Sequence, residues 1–187
     1  PAPAPAAAPA LVGWEPRPEQ IQEAAAAPDG RVLLFRNATV TPPGGVLSGG
    51  KRVPLPFAGC GDLSAYGAED LKRCRGPVVA VVVLTQGQAG LYFHYFAEIL
   101  SRMMWVHEQY PELIQNPKTL YHTSCVTQEC NDLARLVGAK TTWGYRSHLV
   151  AGCWHAQLVA WPPSSTACGF PRAPALRALN RHLCRAA

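Results

Sequence analysis

The sequence predicts an α/β domain with an open, mainly parallel sheet and flanking helices. Residues 77–84, PVVAVVVL, form a continuous apolar run rich in β-branched residues, which is typical of a strand buried on both faces. This run begins a strand–helix–strand–helix–strand–helix order, which is the order of a parallel open sheet. Of the 187 residues 48% are hydrophobic, which is enough for one core of ordinary size.

The first 30 residues differ in composition from the rest. They begin with PAPAPAAAPA, which supplies no side chain that could anchor a core and should form an extended, disordered spacer. We therefore divide the chain into a Pro/Ala-rich stalk, residues 1–30, and an α/β lobe, residues 31–187. A spacer of this kind holds a folded unit away from something, and a membrane anchor outside this sequence is one candidate.

Further elements follow from local patterns along the lobe. RVLLFRNATV predicts a strand closed by the turn TPPGG, and residues 44–57 predict a second short strand that makes a small hairpin with it. After the apolar run, the predicted elements are a helix over 91–110, a strand over 118–124, a helix over 126–139, a strand over 157–163 and a closing helix over 173–186. Pro111 should end the first of these helices, and Gly138 should lie near the end of the second.

In parallel sheets, ligands bind in the loops that follow the carboxyl ends of the strands. TQGQAG and HTSC are those loops here. Gln86, Gln88 and His122 therefore lie where we expect a substrate to be bound.

Charge narrows the class of partner. The formal charge is +5, with a pI near 9.0, but the Lys and Arg residues are scattered and form no long block. This pattern argues against a nucleic-acid partner, whereas phosphates of a nucleotide sugar or anionic glycans would suit it. No run of about 18 apolar residues occurs, so we expect contact with a membrane only through an anchor outside this sequence.

Cysteines and one sequon point to the secretory pathway. Seven cysteines would allow up to three disulfides in an oxidising lumen, and we expect Cys60 and Cys74, which bracket one loop, to be a pair. Asn37-Ala38-Thr39 is an N-glycosylation sequon. The expected location is the Golgi or endoplasmic reticulum lumen, as a type II membrane protein, with secretion as the alternative.

The helix over 91–110 carries most of the chemical information. Most of its circumference is apolar, and a narrow polar strip comprises His94, Glu98, Ser101 and Arg102, continued by Glu108 and Gln109. One interpretation is a solvent-facing strip in which Glu98 and Arg102 pair, worth a few tenths of a kcal/mol. The other is a polar face turned into a cleft, where His94 acts as a base or binds a sugar hydroxyl and Glu98 orients it.

The segment LYFHYFAEILSRMMWV resembles the signature of glycosyltransferase family 61, in which an aromatic–His–aromatic step leads to a Glu and then an Arg. The matching positions are His94, Glu98 and Arg102. The chain has Leu91 where the family often has Asn, and Ser101 where it often has Pro. The specific part covers residues 91–106, and the wider layout over residues 31–187 resembles the amino-terminal half of that family.

The resemblance implies a GT-B type enzyme of two Rossmann-like lobes that needs no metal or other cofactor. It would move a sugar from a nucleotide-sugar donor to a glycan or glycoprotein acceptor. Two such lobes, at the usual domain size of about 150 residues each, need well over 300 residues in all, so this chain would be the amino-terminal, acceptor-side lobe. The catalytic residues would be His94 and Glu98, with Arg102 on the substrate side. The alternative is a non-catalytic lumenal carbohydrate-binding or scaffold module.

Weaker alternatives involve cysteines and aromatic residues. His122, Cys125 and Cys130 could ligate zinc, although the paired spacing of structural sites is missing. Cys153 or Cys125 could be the nucleophile of a small hydrolase. Aromatic side chains of the carboxyl-terminal third could instead stack on sugar rings; they are Trp143, Tyr145, Trp154 and Trp161.

Overall fold

A computed structural model describes residues 31–53, 68–84, 95–123, 125–138, 149–162 and 173–186. These residues form one mixed α/β sheet of seven strands in the order β3-β2-β1-β7-β4-β5-β6. The strands are β1 Leu33–Val40, β2 Val46–Ser48, β3 Lys51–Arg52, β4 Arg75–Val83, β5 Thr119–His122, β6 Leu149–Val150 and β7 Trp154–Trp161. The predicted stalk and the Cys60 loop lie outside the described residues.

The centre of the sheet is parallel, as the apolar run predicts. Strand β4 pairs in parallel with β5 on one side and with β7 on the other, and β6 extends the parallel part beyond β5. Strands β1, β2 and β3 form an antiparallel meander that joins this part along β7. The α/β class, the parallel centre and the small amino-terminal hairpin are therefore confirmed, whereas the antiparallel pairing of β1 with β7, which makes the sheet mixed, was not predicted.

The described residues also form five α-helices. They are α1 Ala68–Leu71, α2 Ser101–Gln109, α3 Pro111–Gln115, α4 Gln128–Leu136 and α5 Ala173–Ala186. Helix α4 has the Thr127 hydroxyl at its amino end and Gly138, at φ +86°, just past its carboxyl end, as capping rules predict. Among the described residues, none of the helices combines the length and apolar character that crossing a bilayer requires.

The segment that leads into α2 is not a regular α-helix. Residues Tyr95–Leu100 form a π-helical turn that continues directly into α2. A turn of this type places side chains at a different angular spacing from an α-helix. The prediction of one α-helix over 91–110 is therefore wrong for Tyr95–Leu100, and residues 91–94 lie outside the described residues.

Two hydrophobic cores cover the two faces of the sheet. The larger core packs helices α2 to α5 against one face, and Leu34, Ala80 and Leu158 contribute to it from three neighbouring strands. The second core lies on the other face and includes Val81 and Trp161. Burying a Val or Leu side chain contributes about 1.5–3 kcal/mol, so the apolar run of β4, with side chains in both cores, is a main source of stability.

Three adjacent strands change face at the same level, which we call the sheet bend. Phe35 and Ala38 of β1 both belong to the second core, although strict alternation would place them on opposite faces. The same change occurs in β7 between Ala156 and Val159, and in β4, where Val79 and its successor share the first core. Since each strand contains one extra residue, the pairing of β1 with β7 keeps its register through the bend.

The residues at the bend have unusual backbones. Asn37 adopts φ +45°, a left-handed conformation in which Asn is enriched among non-glycine residues. The register of β4 against β7 shifts between Arg75 and Val78. Gly76, at φ +114°, lies so close to the His155 carbonyl that a Cβ there would clash with it, so only glycine fits this position.

The structure pairs Cys74 with Cys153, so the predicted Cys60–Cys74 disulfide is wrong. Each of the two cysteines directly precedes a strand, β4 or β7, and the two strands are parallel neighbours. The disulfide therefore joins their amino-terminal ends. Cys125 and Cys130 form a second disulfide between the loop after β5 and the first turn of α4. These bonds are typical of an oxidising, secretory-type environment.

Helix α5 is anchored to α2 by charge as well as by packing. Arg181 donates to both carboxylate oxygens of Glu108, at 2.7 and 2.8 Å. The neighbouring rings of His107 and His182 meet edge to face, with their centroids 6.4 Å apart. Because the ion pair is solvent-exposed on both sides, it adds little to stability.

We expect the two disulfides to differ in their effect on stability, because they close loops of different length. The sequence separations are 79 and 5 residues, for which loop-closure entropy predicts about 4.5 and about 2 kcal/mol. Urea unfolding of the Cys74→Ser/Cys153→Ser and Cys125→Ser/Cys130→Ser double variants measures both values. Equal losses would contradict this assignment, as would peptide mapping that joins Cys74 to Cys60.

Candidate functional site

The central contact of the candidate site joins α2 to the carboxyl end of β4. Arg102 donates from Nη1 to the carbonyl oxygen of Leu84 at 2.7 Å, and Leu84 directly follows the strand. The guanidinium is 1% exposed. Burial lowers the pKa of Arg102 to about 10, an effect that the charge of Glu98 opposes. Arg102 therefore stays protonated at neutral pH and fixes the helix against the sheet edge where ligands bind in this class of fold.

The first turns of the polar strip are buried. Glu98 is 5% exposed, and Ser101 is fully buried, with its hydroxyl donating to the Glu98 carbonyl oxygen at 3.1 Å. The interpretation of these residues as a solvent-facing strip is therefore wrong. Further along the helix, Glu108 is exposed and bound to Arg181, so the strip runs from a buried start to an exposed end.

Burying the Glu98 carboxyl and the Arg102 guanidinium one helical turn apart has a physical cost. Removing each ion from water costs several kcal/mol, which mutual attraction and hydrogen bonds must offset. Neighbouring positions of the same helix are filled by Met103 and Met104, which are fully buried and carry no charge. Apolar residues at positions 98 and 102 would avoid this cost, but they would also lose the bond to the Leu84 carbonyl. The charges on Glu98 and Arg102 therefore point to a positioning or chemical role.

His122 lies at the carboxyl end of β5, beside the end of β4. Its Nε2 is 2.8 Å from the carbonyl oxygen of Gly152, and a carbonyl can only accept, so Nε2 carries the proton. The other ring nitrogen, Nδ1, is buried and has no hydrogen-bond partner in the described part of the chain. Burial lowers the pKa of His122 to about 4, so the ring is neutral and is a weak base at physiological pH.

Backbone hydrogen bonds connect these residues across the sheet edge. Leu84 donates to the His122 carbonyl oxygen at 2.9 Å, and Thr123 donates to that of Val150 at 2.8 Å. Together with the bond from Arg102 to Leu84, they join α2, β4, β5 and β6 in one network. Hydrogen bonds thus link the elements at the edge that is predicted to carry the site.

The side chains of His122 and Arg102 lie on opposite faces of the sheet. His122 pairs with Val83 in the parallel ladder, and Val83 belongs to the second core. Arg102 is on α2, which packs on the face of the first core. The structure therefore brings Glu98 and Arg102 together at one face, and His122 is a neighbour through the backbone only. The His122 side chain is fully buried. Its contact with a substrate therefore stays a prediction.

Other predicted site residues fall outside the described residues or have a different role. His94, Gln86 and Gln88 are outside, so their roles stay predictions. Cys125 and Cys130 form a disulfide, which overturns the zinc alternative that needed both thiolates. The hydrolase alternative fails as well, because its candidate nucleophiles, Cys125 and Cys153, are both disulfide-bonded.

The described tryptophans have structural contacts. Trp161 is fully buried in the second core, so it does not line an acceptor groove. Trp154 is half-buried, donates from Nε1 to the Ala151 carbonyl oxygen at 3.0 Å and carries the Arg75 guanidinium 5.5 Å above its ring. One ring face is thus already occupied by a cation. Trp143 and Tyr145 lie outside the described residues.

Comparison with known proteins adds no identity to this geometry. No protein-family model matches the chain, and neither a curated protein nor a solved structure is significantly similar to it.

We expect the free energy of unfolding to fall as the pH is lowered from about 6.5 towards about 4. Folded His122 stays neutral over this range because burial holds its pKa at about 4, whereas the unfolded chain takes up the proton. The difference between 6.5 and about 4 corresponds to at most about 3 kcal/mol. Urea unfolding across this pH range measures the loss.

The His122→Gln variant tests the assignment. Gln keeps a donor for the Gly152 carbonyl and does not titrate, so stability should depend less steeply on pH than in the wild type. A smaller slope should remain, because burial and then His182 also lower the pKa of His107. An unchanged slope would show that His122 is not the group responsible.

Proposed function

We propose that the chain is the amino-terminal, acceptor-side lobe of an inverting glycosyltransferase of the GT-B type, acting in the secretory pathway. The donor would be a nucleotide sugar and the acceptor a glycan or glycoprotein. An acceptor hydroxyl would attack the anomeric carbon of the donor sugar as the nucleoside diphosphate leaves. A base in the cleft would take the proton of that hydroxyl.

The observation that carries this proposal is the burial of Glu98 and Arg102 against the carboxyl end of the central parallel strand. Two residues of the motif that resembles family 61 thus lie in the part of an α/β sheet where ligands bind. On a solvent-facing helix both charged side chains would be exposed to water, so a surface role does not explain their burial. The two disulfides add support for an oxidising compartment.

Each motif residue receives a role in this proposal. His94 is the base or an acceptor contact, and Glu98 supports it. Arg102 bonds to the Leu84 carbonyl and so holds the start of α2, next to Glu98, at the sheet edge. Gln86 and Gln88 follow β4 in the sequence and would contact the substrate. No metal or other cofactor is assigned a step.

The test uses the full-length protein with a panel of nucleotide sugars and glycan acceptors. Released nucleoside diphosphate and the mass of the product are measured together. We expect His94→Ala to lower the rate of transfer by roughly 10²- to 10⁴-fold, the usual contribution of a general base. We expect Glu98→Gln to lower it as well, without loss of the folded state.

Glu108→Gln is the matched control, because it makes the same change at an exposed position of α2, which continues directly from the π-helical turn that carries Glu98. Its transfer rate should equal that of the wild type. Unchanged transfer in His94→Ala would remove His94 from the mechanism. If the wild type binds glycans but neither transfers nor hydrolyses any nucleotide sugar, the chain is a carbohydrate-binding or scaffold module instead.

A further inference from the structure

Asn37 occupies an exposed position in the middle of strand β1. The residues on both sides of it in the strand pair with β7, namely Arg36 with Leu158 and Ala38 with Ala156, whereas Asn37 is skipped. Its left-handed backbone, at φ +45°, falls at the sheet bend. Along β1 the side chains are buried up to Phe35, exposed at residues 36 and 37, and buried again at Ala38.

The bend explains why an asparagine inside a strand reaches solvent. With regular alternation, Asn37 would share the face of Phe35 and enter the second core. Because Asn37 is left-handed, Ala38 occupies this position in the second core instead, and the Asn37 side chain is exposed to solvent. On the other side of β1, Ala38 pairs with Ser48, and the turn that follows Ser48 is exposed as well. Asn37 thus lies at a polar corner of the sheet.

The third residue of the sequon is engaged in the folded protein. The Thr39 hydroxyl lies 2.8 Å from Nδ1 of His155 in strand β7, and Thr39 is half-buried. An enzyme that recognises Asn and Thr together therefore needs β1 before it has paired with β7. The hydrogen bond joins residues 116 positions apart in the sequence.

This separation leaves time for modification during synthesis. At 5–20 residues per second, a ribosome needs roughly 6–23 seconds to make the intervening chain. Until then β1 has only β2 and β3 to pair with, and such a small set of short strands is marginally stable at best. The sequon is thus available while the chain enters an oxidising lumen. In the folded structure Asn37 is exposed, so a glycan on it would extend into solvent.

We propose that Asn37 carries an N-linked oligosaccharide. In this reaction the Asn37 side-chain nitrogen forms a bond to the first sugar carbon of a lipid-linked oligosaccharide diphosphate. The bond from that carbon to the diphosphate oxygen breaks, the lipid diphosphate leaves, and the amide nitrogen loses one proton. The glycan lies on the outside of the sheet bend, where it displaces no core residue.

The experiment expresses the full chain with a secretion signal in cells that glycosylate asparagine. We expect a lower apparent mass after enzymatic removal of N-glycans, and conversion of Asn37 to aspartate detected by mass spectrometry of the peptide. Asn37→Asp and Asn37→Gly should abolish the shift. Both residues tolerate a left-handed backbone better than most, so these variants remove the acceptor nitrogen and keep the bend.

Changes at Thr39 provide the second set of variants. Thr39→Ser keeps the sequon and should keep the glycan, whereas Thr39→Val leaves Asn37 in place and should lose it. An unmodified Asn37 in a secreted chain whose Cys74–Cys153 disulfide has formed would overturn the proposal, and so would a mass shift that persists in Asn37→Asp. Either result leaves the proposed sugar transfer untouched, because transfer is measured by a different assay and depends on residues other than Asn37 and Thr39.

Discussion

The bond from the Arg102 guanidinium to the Leu84 carbonyl oxygen is the constraint on which the candidate site depends. The last carbonyl groups of a strand have no strand partner beyond them, and a buried carbonyl left unpaired costs about 1–3 kcal/mol. Arg102 donates to this carbonyl at the sheet edge. Because Arg102 belongs to α2, the same bond holds the helix at that edge. The position of Glu98, one turn earlier, follows from the same bond. A main-chain network from β4 to β6 then holds the edge itself.

The parallel centre of the sheet and the closing helix were predictable from sequence. A run such as residues 77–84 cannot be a half-exposed strand, and helix α5 begins and ends at the predicted residues. The fact that Glu98 and Arg102 share one side of the helix was also predictable. Whether that side faces water was not, because a polar strip on an apolar helix has the same pattern in both cases.

Other features depend on contacts that local patterns do not encode. The π-helical turn over Tyr95–Leu100 has no compositional signal, since Tyr, Phe, Ala, Ile and Leu also suit an α-helix. The Cys74–Cys153 disulfide did have a signal: each cysteine lies three or four residues before a predicted strand, 77–84 or 157–163, and parallel neighbours start at the same edge. To recognise this signal one must know that β7 lies beside β4 in the sheet, and the order of strands in the sequence does not show this. Proximity along the chain favoured Cys60 for this reason.

The sheet bend restricts how the length of the chain can vary. Asn37, Gln157 and Val79 are each one extra residue at matching levels of the three adjacent strands β1, β7 and β4. Deleting one of them alone would turn every later side chain of that strand to the opposite face, so that buried aliphatic groups would exchange places with polar ones. Natural variants of this sheet should therefore lose or keep the three residues together, and single-residue gaps should be confined to the loops.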